Sequence, residues 1–239
     1  MKRHNILLTS IFTTLLFFNL QEAKSQINVD LNSTITSRHY WRGIMVSNSV
    51  NYEGDLVLHA KDFSFGAWGG YAFDNTYSEF DFHMAWQISD RLSFSVWDLY
   101  ASRDRCSIDD YNYFDFDRKS TNHLLDASVN YVVGEKFPLK ISWSTMLWGR
   151  DLDAKGNQNY SSYLEVGYPL VTGATNINLF AGLNIFENST YGEHTNIVNM
   201  GLTATKKIKL TENFQIPVWG TIAINPEAES ANLIFGLKF

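Results

Sequence analysis

The stretch EFDFHMAWQI, residues 79–88, alternates without a break. Phe80, Phe82, Met84, Trp86 and Ile88 share one parity, and Glu79, Asp81, His83, Ala85 and Gln87 share the other. Successive side chains of an extended chain point to opposite faces, so the pattern predicts a strand with one apolar and one wet face. A slip of one residue would exchange the two. The same division recurs downstream, where Ile177, Leu179, Ala181, Leu183 and Ile185 oppose Asn176, Asn178, Gly182 and Asn184. At the end of the chain Leu233, Phe235, Leu237 and Phe239 oppose Asn232, Gly236 and Lys238.

Twelve such segments are expected, near 27–42, 52–61, 63–73, 79–88, 92–101, 123–132, 139–148, 160–168, 176–186, 196–206, 214–225 and 231–239. The connections alternate in length: those after odd-numbered segments average roughly ten residues and those after even-numbered ones roughly five, which gathers the long loops at one end. Two residues break the pattern. Asp98 falls on the apolar parity, which requires either a bulge or emergence of the strand from the apolar zone. Pro217 removes a ladder donor, as at a bulge or a rim.

The chain opens with Lys2 and Arg3, an apolar run from Ile6 to Leu20, and Ala23 and Ser25 at positions suited to cleavage. Residues 1–25 therefore read as a secretory signal peptide, leaving 26–239 as one domain. Taking away Lys2, Arg3, Glu22 and Lys24 leaves 16 basic and 24 acidic side chains, a balance that argues against nucleic acid as a partner. No later window supplies the roughly eighteen apolar residues of a membrane helix. Cys106 is the single cysteine, so no internal disulfide is available.

Alternation does not say whether the apolar face points into a core, as in a soluble sandwich or lipocalin-like barrel, or out into lipid. Export without disulfides, the asymmetry of loop lengths and a final alternating strand ending at Phe239 favour lipid. Unpaired strand edges cannot face hydrocarbon, so the sheet must close. The expected fold is an all-β, transmembrane, antiparallel up-and-down β-barrel of about twelve strands in the outer membrane. Its expected partners are outer-membrane lipid and lipopolysaccharide, and the barrel-assembly machinery, reached through the strand ending at Phe239.

In the first segment Asn28, Asp30, Asn32, Thr34, Thr36, Arg38, Tyr40 and Arg42 take the wet parity. The other parity carries Ile27, Val29, Leu31, Ser33, Ile35, Ser37, His39 and Trp41, which places His39 and Trp41 outward at headgroup level. The run VDLNSTITSRHYWRGIMVSNSV, with its Arg42-Gly43 pair and Ser47, resembles the opening strand and first loop of the TorF-like porin family of Gram-negative envelopes. YEGDLVLHA, the tight Lys61-Asp62 turn and FSFGAWGGYAF continue the resemblance to about residue 100. It departs at His39-Tyr40-Trp41, where an acidic-aromatic start is commoner, and in having no proline after Ser47. The resemblance implies a barrel with pore activity.

With the wet face inward, the expected pore-lining residues are Asp30, Arg38, Arg42, Glu53, Asp55, His59, Glu79, Asp81, His83, Asp126, Lys140, Glu165 and Lys238, joined by Lys61 and Arg150. Opposed charges either line an aqueous path or pair into a plug. The function expected is a channel for passive diffusion of small hydrophilic solutes, with no cofactor. One alternative is a lipid-modifying enzyme using Ser37 and His39, but that chemistry needs an orienting group and an oxyanion donor, and neither accompanies them. A metal site from Asp55, His59, Asp81 and His83 lacks any compact ligand spacing. The other alternative is a soluble envelope β-protein that binds a ligand or partner.

Overall fold

The computed structural model describes residues 27–101 and 112–239. The expected signal peptide, residues 1–25, and Cys106 lie outside the described residues. The strands are β1 (Asn28–Thr36), β2 (His39–Trp41), β3 (Ile44–Ser47), β4 (Asn51–Ala60), β5 (Phe63–Ala72), β6 (Ser78–Ser89), β7 (Leu92–Tyr100), β8 (His123–Val132), β9 (Lys140–Gly149), β10 (Ser162–Val171), β11 (Thr175–Asn184), β12 (Asn196–Lys209), β13 (Gln215–Asn225) and β14 (Ser230–Lys238). Twelve of them close a barrel in which each pairs antiparallel with its chain neighbour and β1 pairs with both β4 and β14. The remaining two, β2 and β3, form a separate hairpin. No helix occurs among the described residues.

The parity of residues 79–88 now has a direction. Phe80, Phe82, Met84, Trp86 and Ile88 stand exposed on the outside of the cylinder, whereas Asp81 and His83 are buried within it. Leu56, Leu58, Phe63, Phe65, Leu179, Met200, Ile222, Leu233 and Phe235 extend the exposed apolar exterior around the barrel. An apolar surface on that scale, outside a closed sheet with polar residues inside, is the surface of a membrane-spanning barrel. A soluble sandwich would place the same rings in its middle. Short turns collect at one end, as at Lys61-Asp62 between β4 and β5, and long connections collect at the other. Pro217 pairs with Lys207 without a register shift close to the short-turn end, so it is a rim residue.

Two expectations are corrected. The first segment is not one strand: β1 ends at Thr36, and the chain leaves the wall after Ser37. His39 and Trp41 consequently point into the barrel rather than out to headgroups, as described below. The choice left open at Asp98 is resolved as emergence, because β7 pairs with β8 without a shift and Asp98 stands opposite the outward residues Phe82 and Leu125. It is kept on the outer wall by His123, which is 0% exposed and brings Nδ1 within 2.8 Å of Asp98 Oδ1. His123 Nε2 donates to the Tyr113 carbonyl at 2.7 Å, and Phe116 stacks on the ring at 4.7 Å. Tyr113 and Phe116 are thus folded against the exterior of the long-loop end.

Candidate functional site: a hairpin drawn across the lumen

The departure from the wall begins at Thr36, whose hydroxyl bonds the carbonyls of Arg38 and Phe235. Residues 39–47 then form a two-stranded ribbon turning through Arg42 and Gly43, with φ of 47° and 89°. Positive φ at both central residues is the type I′ geometry that suits a tight hairpin, and glycine accepts it at little cost. Gly43 is required for a second reason: a Cβ there would lie 2.2 Å from the Val198 carbonyl oxygen. Val198 is the residue bypassed where the pairing of β11 with β12 shifts register, so the hairpin tip seats on a bulge. The Gly43 carbonyl accepts from Asn225 Nδ2 at 3.0 Å.

Arg42 reaches the opposite wall. Its Nη1 and Nη2 donate to Asp126 Oδ1 and Oδ2 at 2.9 and 2.7 Å, a bidentate pair in which Asp126 is 2% exposed. Nη1 also donates to the Tyr191 hydroxyl at 2.8 Å and Nη2 to Ser128 Oγ at 3.3 Å. The guanidinium lies 4.6 Å from the Trp41 ring centroid. A planar fork matched to a carboxylate and stacked on an indole is a role lysine does not reproduce. Trp41 and Ile44 pack on a small core of Leu99, Leu124, Met146, Tyr163, Tyr191 and Val198, which fills part of the lumen.

At the other end of the hairpin, His39 Nδ1 is 2.8 Å from Glu53 Oε1, and its ring stacks on Tyr77 at 5.3 Å and meets Trp68 at 5.5 Å. Ser37 Oγ accepts from the Phe235 amide at 3.0 Å. The two residues considered as a hydrolytic pair are therefore committed to different partners, one in the lumen and one at the strand edge.

Glycines on the wet parity give these rings room. A Cβ on Gly66 would meet the His83 ring at 2.4 Å, and one on Gly70 would meet Trp68 at 2.5 Å. The run FGAWGG therefore lets two rings lie flat along the wall instead of projecting into the lumen.

Between hairpin and wall lies a cavity of about 410 Å³, bordered by His39, Trp41, Arg42, Glu53, Trp68, Glu79, Asp81, Trp97, Asp126 and Arg150. Six of the residues expected in the lumen thus meet here: Arg42, Glu53, Glu79, Asp81, Asp126 and Arg150. The others are spread along the barrel. Arg38 donates to Asn232 Oδ1 at 3.3 Å, and Asp55 pairs with His83 Nε2 at 2.9 Å. Glu165 accepts from the Tyr163 hydroxyl, and Asp30 meets His59 at 3.1 Å on β1 and β4, near the short-turn end. Lys140 and Lys238 are exposed at that end.

Trp41, Trp68, Trp97, Tyr163 and Tyr191 were not among the expected lumen residues. For Trp68 the signal was present, since it shares a parity with Gly66 and Gly70 rather than with Phe63 and Phe65. Burial pushes the phenol of Tyr191, in the loop after β11, well above its ordinary pKa, which keeps it a neutral partner for Arg42.

No protein-family model and no curated protein matches the sequence. Among solved structures the chain is similar to engineered variants of the porin of Rhodopseudomonas blastica. One multiply substituted variant aligns with a TM-score of 0.41 and 10% identity over 79% of this chain and 55% of the porin. A triple mutant of the same porin aligns with a TM-score of 0.40 and 12% identity over the same shares. The chain thus spans about half the length of the porins it matches.

Proposed function

We propose that this chain is an outer-membrane channel for passive diffusion of small hydrophilic solutes, narrowed by its own first loop. The observation that carries the reading is the hairpin fixed across the lumen by the Arg42–Asp126 pair beside a cavity of mixed charge. Fixed opposed charges around an aqueous constriction orient polar solutes and discriminate between ions. We propose as lining residues Asp30, Arg38, Arg42, Glu53, Asp55, His59, Glu79, Asp81, His83, Asp126, Lys140, Glu165 and Lys238. Export by residues 1–25, assembly through the strand ending at Phe239, contact with lipopolysaccharide and membership of the TorF-like porins belong to the same proposal.

The test is reconstitution of the purified protein in a planar bilayer. Discrete conductance steps are expected, and Arg38→Ala and Arg42→Ala should each move ion selectivity toward cations. Absence of steps from protein that still shows the heat-dependent gel mobility of a folded barrel would overturn the channel. Unchanged selectivity in both variants would remove these arginines from the pathway.

A further inference from the structure

We propose that the cavity beneath the hairpin is a binding site for organic monocations, meaning protonated or quaternary amines with an apolar body. For its consequence, a transport preference, the inference rests on the channel reading; binding itself is measurable without it. At about 410 Å³ the cavity is of the size that encloses a small molecule.

Two features of its lining select the charge. Of the four carboxylates on the cavity, Asp126 is taken by Arg42 and Glu53 by His39. Glu79 accepts from the Tyr77 hydroxyl and Asp81 from the Tyr100 amide, and Arg150 also borders the cavity. Glu79 and Asp81 stand two residues apart on the inward face of β6, and Asp81 is among the buried polar residues. Carboxylates withdrawn from water gain from a cation brought to them.

The second feature is aromatic. Trp68 is the direct cross-strand partner of Asp81 and lies along the wall over Gly70. Trp97, one strand away on the other side, is held by stacking on His83 at 4.2 Å. Trp41 borders the cavity from the hairpin. Indole faces next to carboxylates form the arrangement that holds ammonium groups carrying alkyl substituents, since the ring quadrupole attracts the cation while its alkyl surface is buried. A neutral sugar would use the rings but would bring no positive charge to the two carboxylates.

The full-chain protein in detergent is titrated with choline and with 3,3-dimethylbutan-1-ol, its uncharged isostere, followed by tryptophan fluorescence and calorimetry; maltose is the sugar control. Choline is expected to bind at least tenfold more tightly than the isostere or maltose. Glu79→Gln and Trp68→Leu should each weaken choline at least tenfold while the heat-dependent gel mobility is retained, and Asp81→Asn provides a second charge variant. Equal affinity for choline and isostere, preference for maltose, or choline binding unchanged in Glu79→Gln and Asp81→Asn would overturn the site. Binding without conductance would leave the site standing and remove the channel; conductance without choline binding would do the reverse.

Discussion

Residues 79–88 form a wall strand, whereas residues 38–47 leave the wall. The difference lies in what each parity carries. In β6 every residue of one parity from Phe80 to Ile88 is apolar, so that face can meet lipid along its whole length. In SRHYWR one parity reads Ser37, His39, Trp41 and the other Arg38, Tyr40, Arg42, so neither face is fit for hydrocarbon. A transmembrane strand needs one predominantly apolar phase, and a segment without one is stable only where both of its faces find polar and aromatic partners. The lumen supplies them, as Glu53 and Tyr77 for His39 and Asp126 and Tyr191 for Arg42.

The largest effect is expected from breaking the hairpin alone. Arg42→Ala leaves Asp126 buried without its partner, a loss of about 3–5 kcal/mol. The hairpin should come free while the wall persists, seen as new chymotrypsin cleavage at Tyr40 or Trp41 with gel mobility unchanged. Replacing the pair together, Arg42→Met with Asp126→Leu, should recover most of the protection. Breaking the wall comes next: Met84→Arg, near the middle of β6 on the lipid side, should destabilise the barrel by about 2–4 kcal/mol in a urea refolding titration into lipid vesicles.

Gly43→Ala should have a smaller effect, about 1–2 kcal/mol from left-handed backbone alone, plus displacement of the tip from Val198. Its signature is partial cleavage, between the native chain and Arg42→Ala. The smallest effect separates a rim contact from the hairpin. His194 Nδ1 and Glu227 Oε1 lie 2.8 Å apart and join the β11–β12 loop to the short connection between β13 and β14. Hydrogen bonds from Asn196 and His194 hold Glu227 below the usual carboxylate range, and the hydrogen bond and charge of Glu227 raise His194. The Glu227 contribution is present above its ordinary pKa and lost as pH falls through the depressed one. The His194 contribution is present below its ordinary pKa and lost as pH rises through the raised one. The contact should therefore be tightest between roughly pH 4.5 and 6.5 and persist somewhat beyond both ends. Exchange of the His194 amide, which donates to Glu227, should slow within that window, while hairpin amides show no parallel change.

The wall was legible because parity is a local property: each strand declares its own two faces, and loop lengths declare its two ends. The hairpin was not legible because parity says nothing about which neighbour a strand joins. Residues 27–42 are one strand only if the chain stays on the wall past Thr36, and the mixed parities of SRHYWR and the Arg42-Gly43 turn signal mark where it does not. Asp98 was visible as an exception, but its partner His123 comes from another strand and its cover from Tyr113 and Phe116. The cavity was half legible. Its carboxylates follow from parity, whereas the parity of 27–42 puts Trp41 on the opposite face and Trp68 sits on the glycine-bearing phase of β5.

The hairpin also imposes an order on assembly. Arg42 finds its anchors 84 and 149 residues later in the chain, and Gly43 is held by Asn225, 182 residues away. Contacts of such long sequence separation form late, after the intervening loops have been closed. Pairing of Thr34 with Lys238, which closes the wall, spans more of the chain still, so the earliest loop and the final strand come to rest together, late in assembly.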